Sequence, residues 1–362
     1  MWSADDDYQA RWFYKNRFHE GRRLFERETF GGNGRTCETC HSEATGTVSP
    51  ADARGRFRAN KHDPLFIHDG SDDGFGHGVE RMLRDATILV TIDLPPNVSL
   101  ADDPSARSVV VRRGIPTTLN TPALDPILMF DGREPDLAAQ ARNAIRNHAQ
   151  SDFVSRAEAQ RIANFEQTAG FFSSPTLRRY AHGGPAPQLP QGYTASEKRG
   201  RRFFVDTAPS PNGDPKAGTC AICHSGPMLN QTNQFAPPPI RSGLRFQTVL
   251  VSELNTAANP VHEFVFQNPD GSKTVVKSPD PGRALITSQS QNTAFDNVNA
   301  FKISTLWGVR DTAPYFHDNS AKTLEDVATH YAKFFEIVTA PKPLIFTEED
   351  KKDMVAYLKL LN

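Results

Sequence analysis

The chain has 362 residues, of which 38% are hydrophobic and 23% are charged, and its formal net charge is −1 at neutral pH. This length allows two or three domains with buried cores. The near-zero net charge does not favour a nucleic acid or an anionic membrane surface as a partner. No run of roughly 18 apolar residues occurs, so we predict no transmembrane helix.

The first predicted element is a helix with an apolar edge that contains Gly21–Phe25. A glycine-rich loop leads from it to Cys37, Cys40 and His41, which form a C-x-x-C-H motif. This is the attachment signature of c-type haem. Two thiols add to the porphyrin vinyl groups, and the adjacent histidine supplies an axial nitrogen to the iron. The alternative, a zinc or thioredoxin-like C-x-x-C, requires that the histidine follows by chance.

The second half of the chain repeats this order. A helix containing Gly200–Phe204 leads through a second loop to Cys220, Cys223 and His224, another C-x-x-C-H motif. The two motifs use all four cysteines, which leaves no thiol for a disulfide. The repeat therefore predicts two covalent c-type haems, with His41 and His224 as axial ligands.

The repeat also indicates a diverged duplication, with the turn-rich segment 181–187 as a linker. We predict a mostly α fold of two cytochrome c-like domains, 1–184 and 185–362, with a haem each. Segment 231–300 is rich in Pro, Asn and Ser and contains short β-prone runs, which predict a long loop or β-hairpin insertion in the second domain.

The last predicted helix begins after Thr347, whose hydroxyl is a typical N-cap because acidic residues follow it. One apolar face of this helix contains Met354, Tyr357, Leu358 and Leu361. This periodicity predicts that the helix closes the core of the second domain.

Several further runs resemble the bacterial dihaem cytochrome c peroxidase/MauG superfamily, over roughly Gly21 to Leu361. The runs are Pro116–Asn120, Phe130–Arg133 and Gln140 in the first half, and Phe301–Leu306, Thr312–Asp318 and Thr323–Val327 in the second. The resemblance implies an oxidoreductase whose N-terminal haem is the reactive site. It also implies that the C-terminal haem is six-coordinate and stores or relays electrons.

In the peroxidases that the chain resembles, a methionine about fourteen residues beyond the position of His317 binds the second iron. That position is Tyr331 here, and MauG-like members also have tyrosine there. The resemblance thus implies His224/Tyr331 ligation, in which the phenolate stabilises ferric and higher oxidation states. There are two alternatives: the neighbouring His330 is the ligand, or Tyr331 is only a packed residue of its helix.

Over the first haem the peroxidases place a Gln and, ten residues later, a Glu. Gln140 matches the Gln, whereas the Glu position is Gln150, which cannot ionise. Between them, His148 is the candidate general acid for splitting peroxide, and Arg146 is a candidate to stabilise bound peroxide. The alternatives are that His148 is a surface or helix-cap residue, or that it binds the iron.

Two aromatic residues depart from the family pattern. Phe130 stands where members carry a tryptophan between the haems, and because phenylalanine is much harder to oxidise, hopping through this residue is disfavoured. Trp307, expected near the second haem, is either a packing residue or a relay.

For the family's interface calcium ion, Thr312 and Pro314 match carbonyl donors, but Gly114 occupies the Asn donor position.

Three histidines after the first motif, His62, His68 and His77, are either exposed loop residues or a resting ligand of the first iron. The acidic run 69–74 lacks the terminal glutamate of a calcium loop, so we predict a turn there.

The resemblance implies a MauG-like enzyme that uses peroxide or dioxygen to oxidise a protein or an aromatic or apolar organic substrate. A periplasmic electron carrier is a further expected partner. Two rival hypotheses are a dioxygenase resembling the rubber oxygenases, which the missing distal glutamate favours, and a non-enzymatic electron-transfer cytochrome. Because c-type haem is attached outside the cytoplasmic membrane, we expect a periplasmic protein whose signal peptide has been removed.

Overall fold

The computed structural model describes residues 19–208, 210, 213–256, 259–290 and 294–362. Within these residues the chain forms twelve helices. They are α1 (described part 19–27), α2 (Pro50–Ala59), α3 (Glu80–Asp85), α4 (Thr121–Leu124), α5 (Leu137–His148), α6 (Arg156–Glu166), α7 (Pro175–Ala181), α8 (Ala195–Arg201), α9 (Val251–Leu254), α10 (Arg283–Thr287), α11 (Leu324–Val338) and α12 (Glu348–Leu358).

In the described ranges, seven short strands form three antiparallel sheets. They are β1 (Thr87–Asp93), β2 (Val98–Leu100), β3 (Ser108–Gly114), β4 (Phe246–Gln247), β5 (His262–Gln267), β6 (Lys273–Ser278) and β7 (Phe301–Lys302). The pairs are β1 with β3 and β4 with β7, while β5 lies between β2 and β6. The fold is therefore mixed, and the mostly α prediction missed the β1–β3 ribbon.

The three-stranded sheet joins the two halves of the chain, because Val98 of β2 pairs with Phe266 of β5. Strands β5 and β6 form an antiparallel pair within segment 231–300, where β-prone runs were predicted. That this segment is an insertion, and that the domains divide at residue 184, stay predictions.

The helix before each C-x-x-C-H motif crosses a later helix of its half at a glycine. A Cβ atom on Gly21 in α1 would lie 2.5 Å from the carbonyl oxygen of Arg161 in α6. A Cβ atom on Gly200 in α8 would lie 2.0 Å from the carbonyl oxygen of Asp353 in α12. Only glycine allows such a close backbone approach. The equivalence of the two helix pairs is what an internal duplication produces.

Three hydrophobic cores hold the elements together. One lies in the α1, α5 and α6 region and includes Leu24 and Ile162, and a second lies around α8 and α12. The third is formed by both larger sheets, so β1–β3 residues pack with Phe264 and Phe266. Because this third core uses residues from both halves, it fixes one half against the other.

The predicted C-terminal helix is confirmed. The Thr347 hydroxyl accepts a hydrogen bond from the Asp350 amide, and the Asp350 carboxylate closes the capping box. The four predicted apolar residues of this helix are buried in the second core, namely Met354, Tyr357, Leu358 and Leu361.

A buried charge network also connects the halves. Arg113 on β3 donates to Asp131 at 2.5 Å and to Asp280 at 2.7 Å, and all three side chains are almost fully buried. Removing one partner of such a network leaves an uncompensated buried charge, which costs about 3–5 kcal/mol. Among the described helices, none has the length and hydropathy needed to cross a bilayer.

Candidate haem sites

The first C-x-x-C-H motif fixes the tautomer of its histidine. Cys37–Thr39 form a turn of 3₁₀ helix, which brings His41 over the loop that follows. The His41 Nδ1–H donates to the carbonyl of Gly46 at 2.8 Å. Nε2 is then left with its lone pair, as a metal ligand requires. Burial lowers the pKa of His41, which also favours the neutral ring.

The second motif repeats this geometry. The His224 Nδ1–H donates to the carbonyl of Leu229 at 2.9 Å, and the acceptor again lies five residues beyond the histidine. Burial lowers the pKa of His224 as well. Both histidines are thus held in the state that binds iron through Nε2.

Burial also acts on the motif cysteines. It raises the pKa of Cys220 and of Cys223 to about 12, and it raises the pKa of Cys37 and Cys40 too. Neutral thiols are compatible with the thioether bonds of c-type haem.

A cavity adjoins the first motif. Cys37, Cys40 and His41 all line it. Most of the other lining residues are apolar, such as Ile88, Val90 and Ile145. A haem-attachment motif at an apolar cavity is the arrangement that a bound haem requires.

One face of α5 forms a wall of this cavity. Gln140, Ala144 and His148 are spaced four residues apart, so the helical period places their side chains on the same side. Phe130 lines the cavity as well. The structure therefore brings three predicted distal residues, Gln140, His148 and Phe130, to the cavity that holds the first motif.

Arg146 and Gln150 do not join them, which corrects those two predictions. Arg146 lies on the opposite face of α5, is exposed, and pairs with Asp152 at 2.8 Å. Gln150 follows the end of α5 with a φ of 55°, and its side chain accepts from Asn33 at 3.2 Å. The end of the helix and this left-handed turn carry Gln150 away from the cavity.

His148 has a partner that the sequence did not reveal. Its Nδ1 lies 2.5 Å from the Oδ2 of Asp69, a residue predicted only to be part of a turn. Asp69 also accepts from the buried Arg35. Burial opposes the ionisation of Asp69, but the hydrogen bond from His148 and the charge of Arg35 outweigh it, so the pKa of Asp69 is lowered.

In the second half, Tyr331 is close to the motif cysteines. Burial raises the pKa of its phenol, and the nearby thiols of Cys223 and Cys220 act in the same direction. The Nε2–H of its alternative, His330, donates to the carbonyl of Val249 at 2.8 Å. Of these two neighbours, Tyr331 is thus the one near the second motif.

Trp307 is buried in the second core, and its indole N–H donates to the carbonyl of Pro227 at 2.9 Å. It lines a second cavity together with His224. A satisfied, buried indole in this place fits a packing role, and a relay role stays a prediction.

The positions predicted to bind calcium are Gly114, Thr312 and Pro314. The Gly114 amide donates to the carbonyl of His317 at 2.7 Å, and the Thr312 hydroxyl donates to that of Val309 at 3.3 Å. Pro314 follows a cis peptide bond. No cluster of three His, Cys, Asp or Glu side chains suited to a metal ion occurs in the described part of the chain. A calcium ion stays a prediction.

Of the three loop histidines, His62 and His77 are exposed, and His77 pairs with Asp73 at 2.7 Å. The His68 Nε2 lies 3.1 Å from the carbonyl of Asn147. Each of these contacts fits a loop residue.

Sequence reasoning also missed Glu166. This residue ends α6, lines the first cavity, and is only 5% exposed. Its Oε2 has no hydrogen-bond partner in the described structure, and burial raises its pKa to about 8. A glutamate at the end of an amphipathic helix usually faces solvent, so the pattern gave no signal.

Comparisons with known proteins agree with this geometry. No family model and no curated protein sequence matches the chain. A MauG-like protein associated with microbial copper homeostasis aligns with a TM-score of 0.50 at 18% identity, over 96% of this chain and 88% of that one. The diheme peroxidase BthA from Burkholderia thailandensis E264 aligns with a TM-score of 0.50 at 15% identity, over 96% and 86%. The chain thus has the fold of MauG-like proteins and dihaem peroxidases.

Proposed function

We propose that this chain is a periplasmic dihaem c-type oxidoreductase of the MauG-like type. The first haem site, on His41, binds peroxide. The second, on His224 and Tyr331, shares the oxidising equivalents, which are used on a protein or an organic substrate. The fold likeness to a MauG-like protein and to a diheme peroxidase supports this proposal.

The single observation that carries it is the cavity of the first motif. One wall carries Cys37, Cys40 and His41, and another carries Gln140 and His148. A proton-transfer side chain and a haem-attachment motif thus share one enclosed space. An electron-transfer cytochrome has no need of such a group beside its haem.

The chain's own residues have separate tasks in this reaction. When bound, the haems supply the iron that receives the oxidant and the two electrons that break its O–O bond. His148 transfers a proton between the two oxygens, and the Gln140 amide orients the oxidant by hydrogen bonding. The apolar walls exclude water, which strengthens these polar contacts.

Tyr331 sets the task of the second site. A phenolate is a hard anionic ligand that stabilises ferric and higher states of a haem iron. The second site is then suited to hold an oxidising equivalent rather than to accept electrons from a donor of ordinary potential. His330, bonded to Val249, would leave this position to the tyrosine.

The experiment compares two oxidants on the purified holoprotein. We expect the ferric first haem to bind cyanide, its ferrous form to bind carbon monoxide, and hydrogen peroxide to change the spectra of both haems. Product formation from ¹⁸O-labelled dioxygen without peroxide would instead establish the dioxygenase. Absence of cyanide and carbon monoxide binding would leave only electron transfer.

A further inference from the structure

We propose that Asp69 is the positioning residue of the first haem site, and that it holds His148 so that Nε2 transfers the proton of bound peroxide. This inference rests on the proposed function and deepens it. The Asp69 carboxylate accepts hydrogen bonds from Arg35 and His148 rather than from the residues of the first motif. Its effect on the haem site would therefore pass through His148.

The hydrogen bond defines the tautomer of His148. An ionised carboxylate only accepts, so the contact of 2.5 Å between Asp69 Oδ2 and Nδ1 places a ring proton on Nδ1. In the neutral ring, Nε2 therefore carries the lone pair, as the base in a peroxide reaction must. The His148 side chain is 25% exposed and lines the cavity, which leaves Nε2 accessible to a small oxidant.

The backbone around the ring is fixed as well. The His148 backbone carbonyl accepts from the side-chain amide Nδ2 of Asn33 at 2.9 Å and from Arg35 Nη1 at 3.2 Å. Both donors lie in the loop that leads into the first C-x-x-C-H motif. The Asn33 backbone N–H also donates to the Ala149 carbonyl at 2.9 Å, so the end of α5 and the haem-binding loop are held together by the backbone as well.

Arg35 holds Asp69 in turn. Its guanidinium pairs with Asp69 and donates to the carbonyls of Pro64 at 2.7 Å and Ile67 at 2.6 Å. Both side chains are more than nine-tenths buried. The turn is also tight at Gly70, where a Cβ atom would lie 1.9 Å from the Leu65 carbonyl oxygen. These contacts leave the Asp69 carboxylate little freedom to turn away from His148.

The charges suit a reversible proton transfer. Arg35 balances the charge of Asp69, so with a neutral His148 ring the three side chains have no net charge. When Nε2 gains a proton, the adjacent carboxylate stabilises the imidazolium that forms. A surface histidine would have neither the fixed tautomer nor this stabilisation.

The proton balance of the step is simple. Nε2 accepts one proton from hydrogen peroxide and returns it to the departing oxygen, which leaves as water when the O–O bond breaks. The haems, when bound at His41 and His224, would supply the two electrons that this cleavage requires. His148 ends the step in its starting state, so Asp69 needs to hold only one tautomer throughout.

The test replaces Asp69 with asparagine, which keeps the shape but removes the charge and can present an N–H to Nδ1. We expect the rate of the peroxide reaction to fall about 10²-fold or more, within the range for general acid–base catalysis. The dependence of the rate on pH over roughly pH 5 to 8, where histidines titrate, should also change.

A readout other than turnover is the association rate of cyanide with the ferric first haem. Hydrogen cyanide must lose its proton to bind, so Asp69→Asn should slow this step too. The matched control is Asp63→Asn, which removes a carboxylate of the same loop that pairs with Arg56 rather than with His148. This control should leave both rates within about twofold. An Asp69→Asn holoprotein with both rates unchanged would overturn the proposal.

A double-mutant cycle separates positioning from a general structural effect. In a His148→Gln background, Asp69→Asn should cause no further loss, because the residue it positions is absent. Further slowing of comparable size would overturn the proposal. If Asp69→Asn does not accumulate as holoprotein, Asp69→Glu keeps the charge beside Arg35 but displaces it, and an unchanged rate in that variant would count equally against the proposal.

Failure of the proposed function has a different signature. If the wild-type protein binds neither cyanide nor carbon monoxide, the proposed function fails and the inference with it. If His148→Gln converts the first haem from low spin to high spin, His148 is an iron ligand, which overturns the inference. If His148→Gln slows the peroxide reaction and Asp69→Asn does not, the function stands and only the inference is overturned.

Discussion

Tyr331 and His330 are neighbours on α11, yet their side chains have different surroundings. His330 Nε2 lies 2.8 Å from the carbonyl of Val249, whereas Tyr331 lies near the thiols of Cys220 and Cys223. Successive residues of a helix point about 100° apart, so only one of the two can face the second motif.

This relationship predicts the effect of changing Tyr331. Tyr331→Phe removes the only donor atom of the side chain, so the ferric spectrum of the second haem should change. Tyr331→Met should raise its reduction potential by tenths of a volt, within the roughly 0.8 V that axial ligands span. Optical spectra and spectroelectrochemical titration measure both effects.

Tyr315→Phe is the matched control. The Tyr315 hydroxyl donates to the carbonyl of Val309 at 2.9 Å and is thus already engaged with the backbone. The spectrum of this variant should equal that of the wild type. If Tyr331→Phe also keeps the wild-type spectrum while His330→Ala changes it, the second ligand is His330.

Haem content is the second prediction. Because both motif histidines have the same tautomer and the same five-residue hydrogen bond, both motifs should carry covalent haem. Acid–acetone extraction should leave two haems on the polypeptide. Replacing Cys220 and Cys223 with alanine should leave one, as measured by mass spectrometry of the intact chain. A wild-type protein with fewer than two haems would contradict this.

The sequence predicted correctly the features that depend on residues close together in the chain. The C-x-x-C-H motifs, the Thr347 cap and the apolar face of α12 depend on spacings of a few residues, and the structure has them as expected. The β1 and β3 strands were missed, although Thr87–Asp93 and Ser108–Gly114 are rich in β-branched residues, a local signal of strands.

Contacts between distant segments could not be read in this way. Asp69 and His148 are 79 residues apart, and Arg113 and Asp280 are 167 apart. Nothing local to an acidic turn or to a β-strand arginine predicts such partners. Arg146 and Gln150 were misassigned because alignment by residue count ignores where a helix ends and which face a position occupies.

The glycines at the helix crossings give a third prediction. Gly200→Ala should destabilise the protein by about 1–3 kcal/mol, because the added methyl has no room beside Asp353. Gly55→Ala is the matched control, since Gly55 also lies in a helix but has no atom within 4 Å of the added Cβ. That variant should be stabilised by about 0.5–1 kcal/mol.

Urea unfolding of the holoprotein, followed by far-UV circular dichroism, compares these glycine variants. Gly21→Ala should behave like Gly200→Ala, because its Cβ would meet Arg161 and Phe165 in the same way. If Gly200→Ala were as stable as Gly55→Ala, the close crossing of α8 and α12 would be wrong.

Glu166 gives a prediction on pH. Burial raises its pKa from the ordinary 4.5 to about 8, so between these values the folded chain keeps a proton that the unfolded chain has lost. The proton bound in the folded state stabilises it at low pH. Stability should therefore fall as pH rises from about 4.5 to about 8, and this contribution should then become constant.

Glu166→Gln is neutral at every pH and should remove this slope. The difference in unfolding free energy between wild type and variant should change by a few kcal/mol at most over the window. Glu158→Gln on the same helix is the control, since Glu158 is only half-buried and its capping hydrogen bonds with Ser155 lower its pKa. It should leave the slope across this window intact. Urea unfolding at a series of pH values measures all three proteins, and a Glu166→Gln slope equal to that of the wild type would mean that Glu166 is already ionised in the folded chain.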